Sequence, residues 1–196
     1  MANSKLYLGN TNIGSLFQGA SDISIYLGQN KVYPLGEPVF DGKWKATYSD
    51  SSVTSGECGT AVITENEIDK TNLVSVEIGE CCSSVGINAF KDYSTLSSVK
   101  FNEGLVSIDT KSFMNCVNLL SVTFPTSLNS IFTDSFSGCT GLQSITFLSE
   151  TPIRVYSSTF YDSTCPIYVP AESVEDYKTA QGWSTYADRI QAIPTL

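Results

Sequence analysis

The chain contains no histidine, and among its 196 residues only 11 are lysine or arginine, against 20 aspartate or glutamate. Without an imidazole, neither a Ser-His-Asp nor a Cys-His nucleophile system can be assembled, and a common zinc ligand is missing as well. The formal net charge of −9 and an isoelectric point near 4.4 leave no basic stripe to neutralise phosphates. That excludes a nucleic-acid partner and disfavours an anionic bilayer surface. No apolar run approaches the roughly 18 residues a membrane helix requires, so direct membrane insertion is not expected. The opening residues MANSKLYLGN lack a basic segment followed by an apolar stretch, so a secretory leader is absent from them or has been removed. Also missing are G-x-S-x-G, phosphate-cradling and dinucleotide patterns, paired C-x-x-C spacing and the D-x-D-x-D-G calcium loop. No cofactor and no metal are therefore expected.

What the chain does have is a pattern written four times. Leu73, Leu96, Leu119 and Leu142 are spaced by 23 residues, as are Val76, Val99, Val122 and Ile145, and Ile78, Phe101, Phe124 and Phe147. Phe90, Phe113 and Phe136 keep the same step, and Phe160 arrives one residue late, which implies a single insertion between Leu148 and Val155. A period of 20 to 29 residues with L-x-x-V-x-F in each copy is the signature of a leucine-rich-repeat solenoid. In that motif the last two apolar positions are two apart, so on a strand they share one face while Ser121 and Thr123 point to the other. One coil cannot bury its apolar face alone. Stacked coils can, by placing Phe101 over Phe124 and Val99 over Val122 beneath a parallel sheet with strands about 4.8 Å apart. The return half has its own ladder in Val85, Ile108 and Ile131, with Val155 after the insertion.

The stretch from Leu119 to Cys139, LLSVTFPTSLNSIFTDSFSGC, resembles the Treponema-type or BspA-like leucine-rich repeat, L-x-x-I-x-x-P-x-x-(V/L)-x-x-I-x-x-x-(A/S)-F-x-x-C. Leu96 to Cys116 matches nearly as well. The first copy carries Tyr93 in the Cys slot and Cys82 at the position of Leu105 and Leu128, and the fourth carries Pro152 there and a displaced Cys165. The tail CPIYVPAESVEDYKTAQGWSTYADRIQAI resembles the terminal cap of such proteins from gut bacteria, and the match covers about residues 60 to 193. The resemblance implies an α/β-type, mostly β, right-handed solenoid with a parallel sheet. It further implies non-catalytic adhesion or recognition at a bacterial surface, with a host protein or a glycan as partner.

Three pieces are expected: an N-terminal module over 1–45, the solenoid over 46–165 and a cap over 166–196. In the first, LYLGNTNI from Leu6 recurs as IYLGQNKV from Ile25, each reading as a small hairpin. This segment resembles short β-modules that begin tail-associated proteins of phages and prophages in gut bacteria, and either attaches the solenoid or caps it. Between Lys43 and Asp69, Trp44 and Tyr48 are placed to cover the core, and Ala61, Val62, Ile63 and Ile68 read as a degenerate zeroth coil. Seven acidic residues between Asp50 and Glu80, against one Lys, read as a solvated face. In the cap, Ile167 to Val169 add a strand, Ala171 to Gln181 form a helix stopped at Gly182, Tyr177 and Trp183 close the core, and Ile190 with Ile193 form a tether.

Six cysteines (Cys58, Cys81, Cys82, Cys116, Cys139, Cys165) invite a disulfide framework. Cys116 and Cys139 instead occupy a repeat position with parallel Cβ vectors and are expected as free, buried thiols. Asp109 and Asp134, on successive coils, form the only carboxylate pair worth weighing for glycoside hydrolysis; both sit where turns are ordinarily polar, and no enzyme activity is expected. The candidate binding surface is the outward, concave face of the parallel sheet: Ser75 and Glu77, Ser98 and Lys100, Ser121 and Thr123, Ser144 and Thr146. Small hydroxyls in a flat ladder suit a polar partner, such as a glycan or an extended protein surface.

Overall fold

Each L-x-x-V-x-F segment alternates apolar and polar residues at period two after its leading Leu, and each becomes a strand with one face buried. The computed structural model describes residues 25–27, 30–32, 42–57 and 61–195. The chain divides into two compact units, 1–41 and 42–196. In the first, β1 (Ile25–Leu27) pairs antiparallel with β2 (Asn30–Val32), with Ile25 opposite Val32. The second of the two expected hairpins is thus present, and the first lies outside the described residues.

The second unit opens with β3 (Trp44–Tyr48) and β4 (Val53–Gly56), followed by the two-residue β5 (Val62–Ile63). The repeats then supply β6 (Leu73–Ile78), β7 (Ser84–Val85), β8 (Ser98–Phe101), β9 (Ser107–Ile108), β10 (Ser121–Phe124), β11 (Ser130–Ile131) and β12 (Ser144–Phe147). The cap contributes β13 (Ile167–Val169), a 3-10 turn, the helix α1 (Val174–Thr179), a second 3-10 turn and β14 (Ile190–Ala192). Two sheets result: a long one in the order β14-β13-β12-β10-β8-β6-β3-β4, and a short return sheet in the order β11-β9-β7-β5. From β6 to β14 every neighbour in the long sheet is parallel. β3 and β4 run as an antiparallel hairpin against its first edge.

Between the sheets lie the two phenylalanine ladders. Phe90 and Phe113 stack with centroids 4.9 Å apart, and Phe113 and Phe136 at 5.0 Å. Phe101, Phe124 and Phe147 form the second ladder at 5.5 and 4.7 Å, and the two ladders meet edge to face, as in Phe124 against Phe136. Cys116 and Cys139 are free and buried. Their thiols donate to the carbonyls of Phe90 and Phe113 in the preceding coil at 3.2 and 3.1 Å, which is what the repeat uses a cysteine for. Cys81, by contrast, is disulfide-bonded. Cys58 lies outside the described residues.

The bends of the return half recur at the same step. Asn88, Lys111 and Asp134 have φ of 58°, 59° and 59°, and Asp92, Asn115 and Gly138 have φ of 63°, 62° and 74°, with Asp162 at 64° one residue late after the insertion. Asn, Asp and Gly tolerate this left-handed region best, and Lys111 is the exception. At Gly138 a side chain would also collide with the Asn115 carboxamide.

The stack is closed differently at its two ends. At the first, Trp44 and Ala46 on β3 are buried against β6. Glu67 accepts from Lys43 Nζ at 2.7 Å, from Trp44 Nε1 at 2.9 Å and from the Thr64 amide at 3.0 Å, locking the hairpin to the zeroth coil. Tyr93, standing in the first copy's Cys slot, donates its hydroxyl to the Ile68 carbonyl. At the other end the helix is shorter than the expected 171–181. Ile190 and its neighbours form a strand in register with β13 rather than a tether, with Ile190 opposite Ile167. The cap is therefore a fifth coil of the same 23-residue length whose return half has been rebuilt as helix. Its aromatic residues meet the carbonyls that coil four presents: Tyr177 donates to Ser149 at 2.9 Å, Trp183 to Ile153 at 2.8 Å and Tyr186 to Tyr156 at 2.7 Å. Tyr177 and Trp183 are fully buried and serve as cap packing.

Phe113 touches a ring in the coil on either side, so Phe113→Ala opens a cavity between three coils. It is expected to lower stability by roughly 3 to 5 kcal/mol in chemical denaturation. A loss below about 1 kcal/mol would mean that the ladders do not carry the core.

Candidate functional site

The parallel register brings the expected residues into two straight rows on the outer face of the long sheet. Ser75, Ser98, Ser121 and Ser144 stand opposite one another on successive strands. In the neighbouring row Glu77 stands opposite Lys100 and Thr123 opposite Thr146. Ser98, Lys100, Ser121 and Thr123 are exposed, and Ser75, Glu77, Ser144 and Thr146 are half-buried. All eight therefore share one face.

Both rows extend further than the repeats alone indicate. On β3, Thr47 continues the serine row opposite Ser75, and Lys45 continues the second row opposite Glu77. On the cap side, half-buried Tyr168 follows Thr146 and exposed Gln191 follows Tyr168. Sequence reasoning missed these four. The available signals were the alternation in Trp44-Lys45-Ala46-Thr47 and in Ile167-Tyr168-Val169. What hid Tyr168 was the step of 22 between Ile145 and Ile167, one short of the period.

The charges on this face are compensated within it. Lys100 Nζ donates to Glu77 Oε1 at 2.6 Å, and Asn102 Nδ2 donates to the same oxygen at 3.1 Å. Burial pushes the Glu77 carboxyl upward, but the hydrogen bonds from Lys100 and Asn102 and the charges of Lys100 and Lys45 together hold it below its ordinary value of 4.5. Nearby, Glu103 accepts from the amides of Thr126 and Ser127 at 3.1 and 3.0 Å, tying one coil's turn to the next. Among the described residues, nothing forms a hydrogen bond with the hydroxyls of Ser98, Ser121 and Thr123. A groove of about 390 Å³ runs between these hydroxyls and Lys100, Asn102, Glu103 and Leu148. Its walls offer hydroxyls and a carboxamide beside the side chains of Lys100 and Glu103 and one exposed leucine.

The carboxylate pair weighed from the sequence does not occupy matching positions in the coils. Asp109 occupies the repeat position that Phe132 holds in the next coil, whereas Asp134 sits in a left-handed bend aligned with Lys111 and Asn88. They are not equivalent neighbours. In the acidic stretch, Glu67 and Glu77 are paired with Lys43 and Lys100, while Asp50 and Asp69 each accept the amide two residues on, at 2.9 Å. No group of three or more potential metal ligands occurs among the described residues. None of their helices is long and apolar enough to cross a membrane.

Six copies of the BspA type leucine rich repeat match over residues 61–175, more than half of the chain, and the protein belongs to that family. No curated protein matches the chain. The matched span begins in the degenerate zeroth coil and ends inside the cap, two segments whose strands here join the two sheets. Repeats of this family are protein-interaction modules rather than catalysts, and its members are typically surface-associated bacterial proteins.

The Glu77–Lys100 pair is testable by titration. Because its folded value is lowered, Glu77 contributes stability above its ordinary unfolded value, and that contribution is lost as pH falls through the folded value. With Lys100 65% exposed, the pair is worth no more than about 1 kcal/mol after screening. In Lys100→Met the burial remains and its main opponent is gone. Carboxyl ¹³C NMR should then show the Glu77 midpoint moving upward; an unchanged midpoint would show that Lys100 does not hold it.

Proposed function

We propose that this protein is a non-catalytic adhesion or recognition protein of a bacterial surface, binding a host protein or a glycan through the outer face of the long sheet. The observation that carries the reading is the in-register row of serine and threonine hydroxyls, unpartnered among the described residues and flanked by the Glu77–Lys100 pair. Such a face suits a neutral, polyhydroxylated or extended polar partner, because its hydrogen bonds are open while its charges are already satisfied. The disulfide at Cys81 fits an oxidising, extracellular location. In this reading the residues ahead of β3 serve as an attachment module, β3 to Cys165 as the recognition solenoid and 166–196 as its closing cap.

A second reading makes the chain a structural or receptor-binding component of a phage or prophage tail. What favours it is the separate unit formed by residues 1–41, with its own β1–β2 hairpin. There the hairpins would anchor the chain and the repeats present its surface.

A glycan array and a panel of extracellular-matrix proteins, probed in parallel with the protein and its Ser121→Trp variant, separate the readings. Saturable binding abolished by the indole at the centre of the serine row is expected of the recognition protein. No binding by a well-folded sample would remove that reading and leave the tail component.

A further inference from the structure

The outer positions of the return sheet form rows of their own, and both change character in coil four. Ser84, Ser107 and Ser130 stand in register, and a bridge carries the row from Ser130 to Arg154, so an arginine replaces a residue that three coils keep as serine. The second row follows the buried Val85, Ile108, Ile131 and Val155 and reads Gly86, Asp109, Phe132, Tyr156. Phe132 and Tyr156 stack with centroids 6.0 Å apart and ring planes 24° from parallel, and Tyr156 remains 36% exposed.

Arg154 is exposed, and no partner engages its guanidinium among the described residues. The chain's other arginine, Arg189, is fully occupied: its Nε and Nη1 donate to the carbonyls of Cys165 and Ser163, each at 2.8 Å. The return sheet also ends at this point. Arg154 spends its amide and carbonyl on coil three, bonding Asn129 at 3.0 Å and Ile131 at 2.9 Å. Strand alternation turns the Val155 amide the other way, where no described residue accepts it. Beyond lies an open groove of about 630 Å³ between residues 152–157 and 180–185.

We propose that this seam is a docking site for an extended acidic segment of a partner protein, with a carboxylate on Arg154 and an apolar or aromatic side chain on Tyr156. Arginine and tyrosine are the residues in which interface binding energy concentrates, and the outer rows of the long sheet hold no arginine and a single half-buried tyrosine, Tyr168. The planar guanidinium matches a carboxylate in a bidentate pair, and its positive charge stands out on a protein of net charge −9. The Val155 amide, which no described residue accepts, lies beside this groove and can donate to a polar group of the partner, while the cap's Gly182 packs against the Val155 carbonyl. This site is independent of the long-sheet reading and stands or falls separately from it.

The test uses two capped, fluorescein-labelled hexapeptides, one alternating glutamate with valine and tyrosine and the other carrying lysine in place of glutamate. Fluorescence anisotropy at low ionic strength should show saturable binding of the acidic peptide, with the Val155 and Tyr156 amides shifting in ¹H–¹⁵N spectra. Arg154→Glu should weaken binding at least about tenfold and Tyr156→Ala should weaken it too, while Ser121→Trp leaves it unchanged. The Arg154 side chain makes no hydrogen bond or ion pair among the described residues, so the variant is expected to fold, which its thermal transition would verify. The proposal is overturned if the acidic peptide fails to bind by about 1 mM, if the basic peptide binds equally well, or if Arg154→Glu has no effect.

Discussion

Everything in the solenoid depends on one constraint: a 23-residue coil has an apolar face that only another coil can cover. The two phenylalanine ladders express it, because each ladder ring from Phe113 onward packs on a ring of the coil before it, while Phe101 lies over Ile78 of the first coil. Register follows. A strand shifted by one residue would turn its valine and phenylalanine outward and its serine and threonine inward, so the burial that holds the coils together also fixes the order of hydroxyls on the outer face. Core and surface are therefore not separate design problems in this chain. The ladder inside aligns the rows outside.

The same constraint makes the ends the difficult places, since a stack of coils always leaves two apolar faces and two sheet edges uncovered. The chain solves them with different chemistry. At the first edge an antiparallel hairpin presents Trp44 and Ala46 to the core and is held by the Lys43–Glu67 pair. At the last, the coil length is kept while the return half becomes helical, which places Tyr177, Trp183 and Tyr186 where their apolar bodies cover Phe147 and Phe160 and their polar tips reach backbone carbonyls. A rigid donor at the end of a large apolar ring suits that task, because burial and hydrogen bonding are satisfied by one side chain.

Strict periodicity made the repeats legible from the sequence: the leucine, valine and phenylalanine series locate every strand of the second to fourth coils and both rows of the outer face. Legibility ended where the period did. The antiparallel pairing of β3 has no counterpart in a repeat, so Lys45 and Thr47 were not placed beside Glu77 and Ser75. Ile190 looked like a tether because the fifth coil carries a helix in place of its return ladder, although the distance from Ile167 is a full period. Arg154 and Tyr156 were hidden by the one-residue insertion before them, which shifts coil four's return half out of the simple alignment. Comparing what each repeat position contains, rather than where the pattern holds, would have shown serine giving way to arginine.

The functional account rests on the same division between a periodic body and an aperiodic seam, and amide hydrogen exchange examines that division most directly. The account predicts slow exchange for Val99, Val122 and Ile145, the buried strand positions at intervals of 23, and for Phe132, whose amide is held by Ile108 at 2.9 Å. It predicts fast exchange for Val155, whose neighbours are as well packed but whose amide faces the seam groove. Equal protection of Val155 and Phe132, or protection without the 23-residue period, would contradict it.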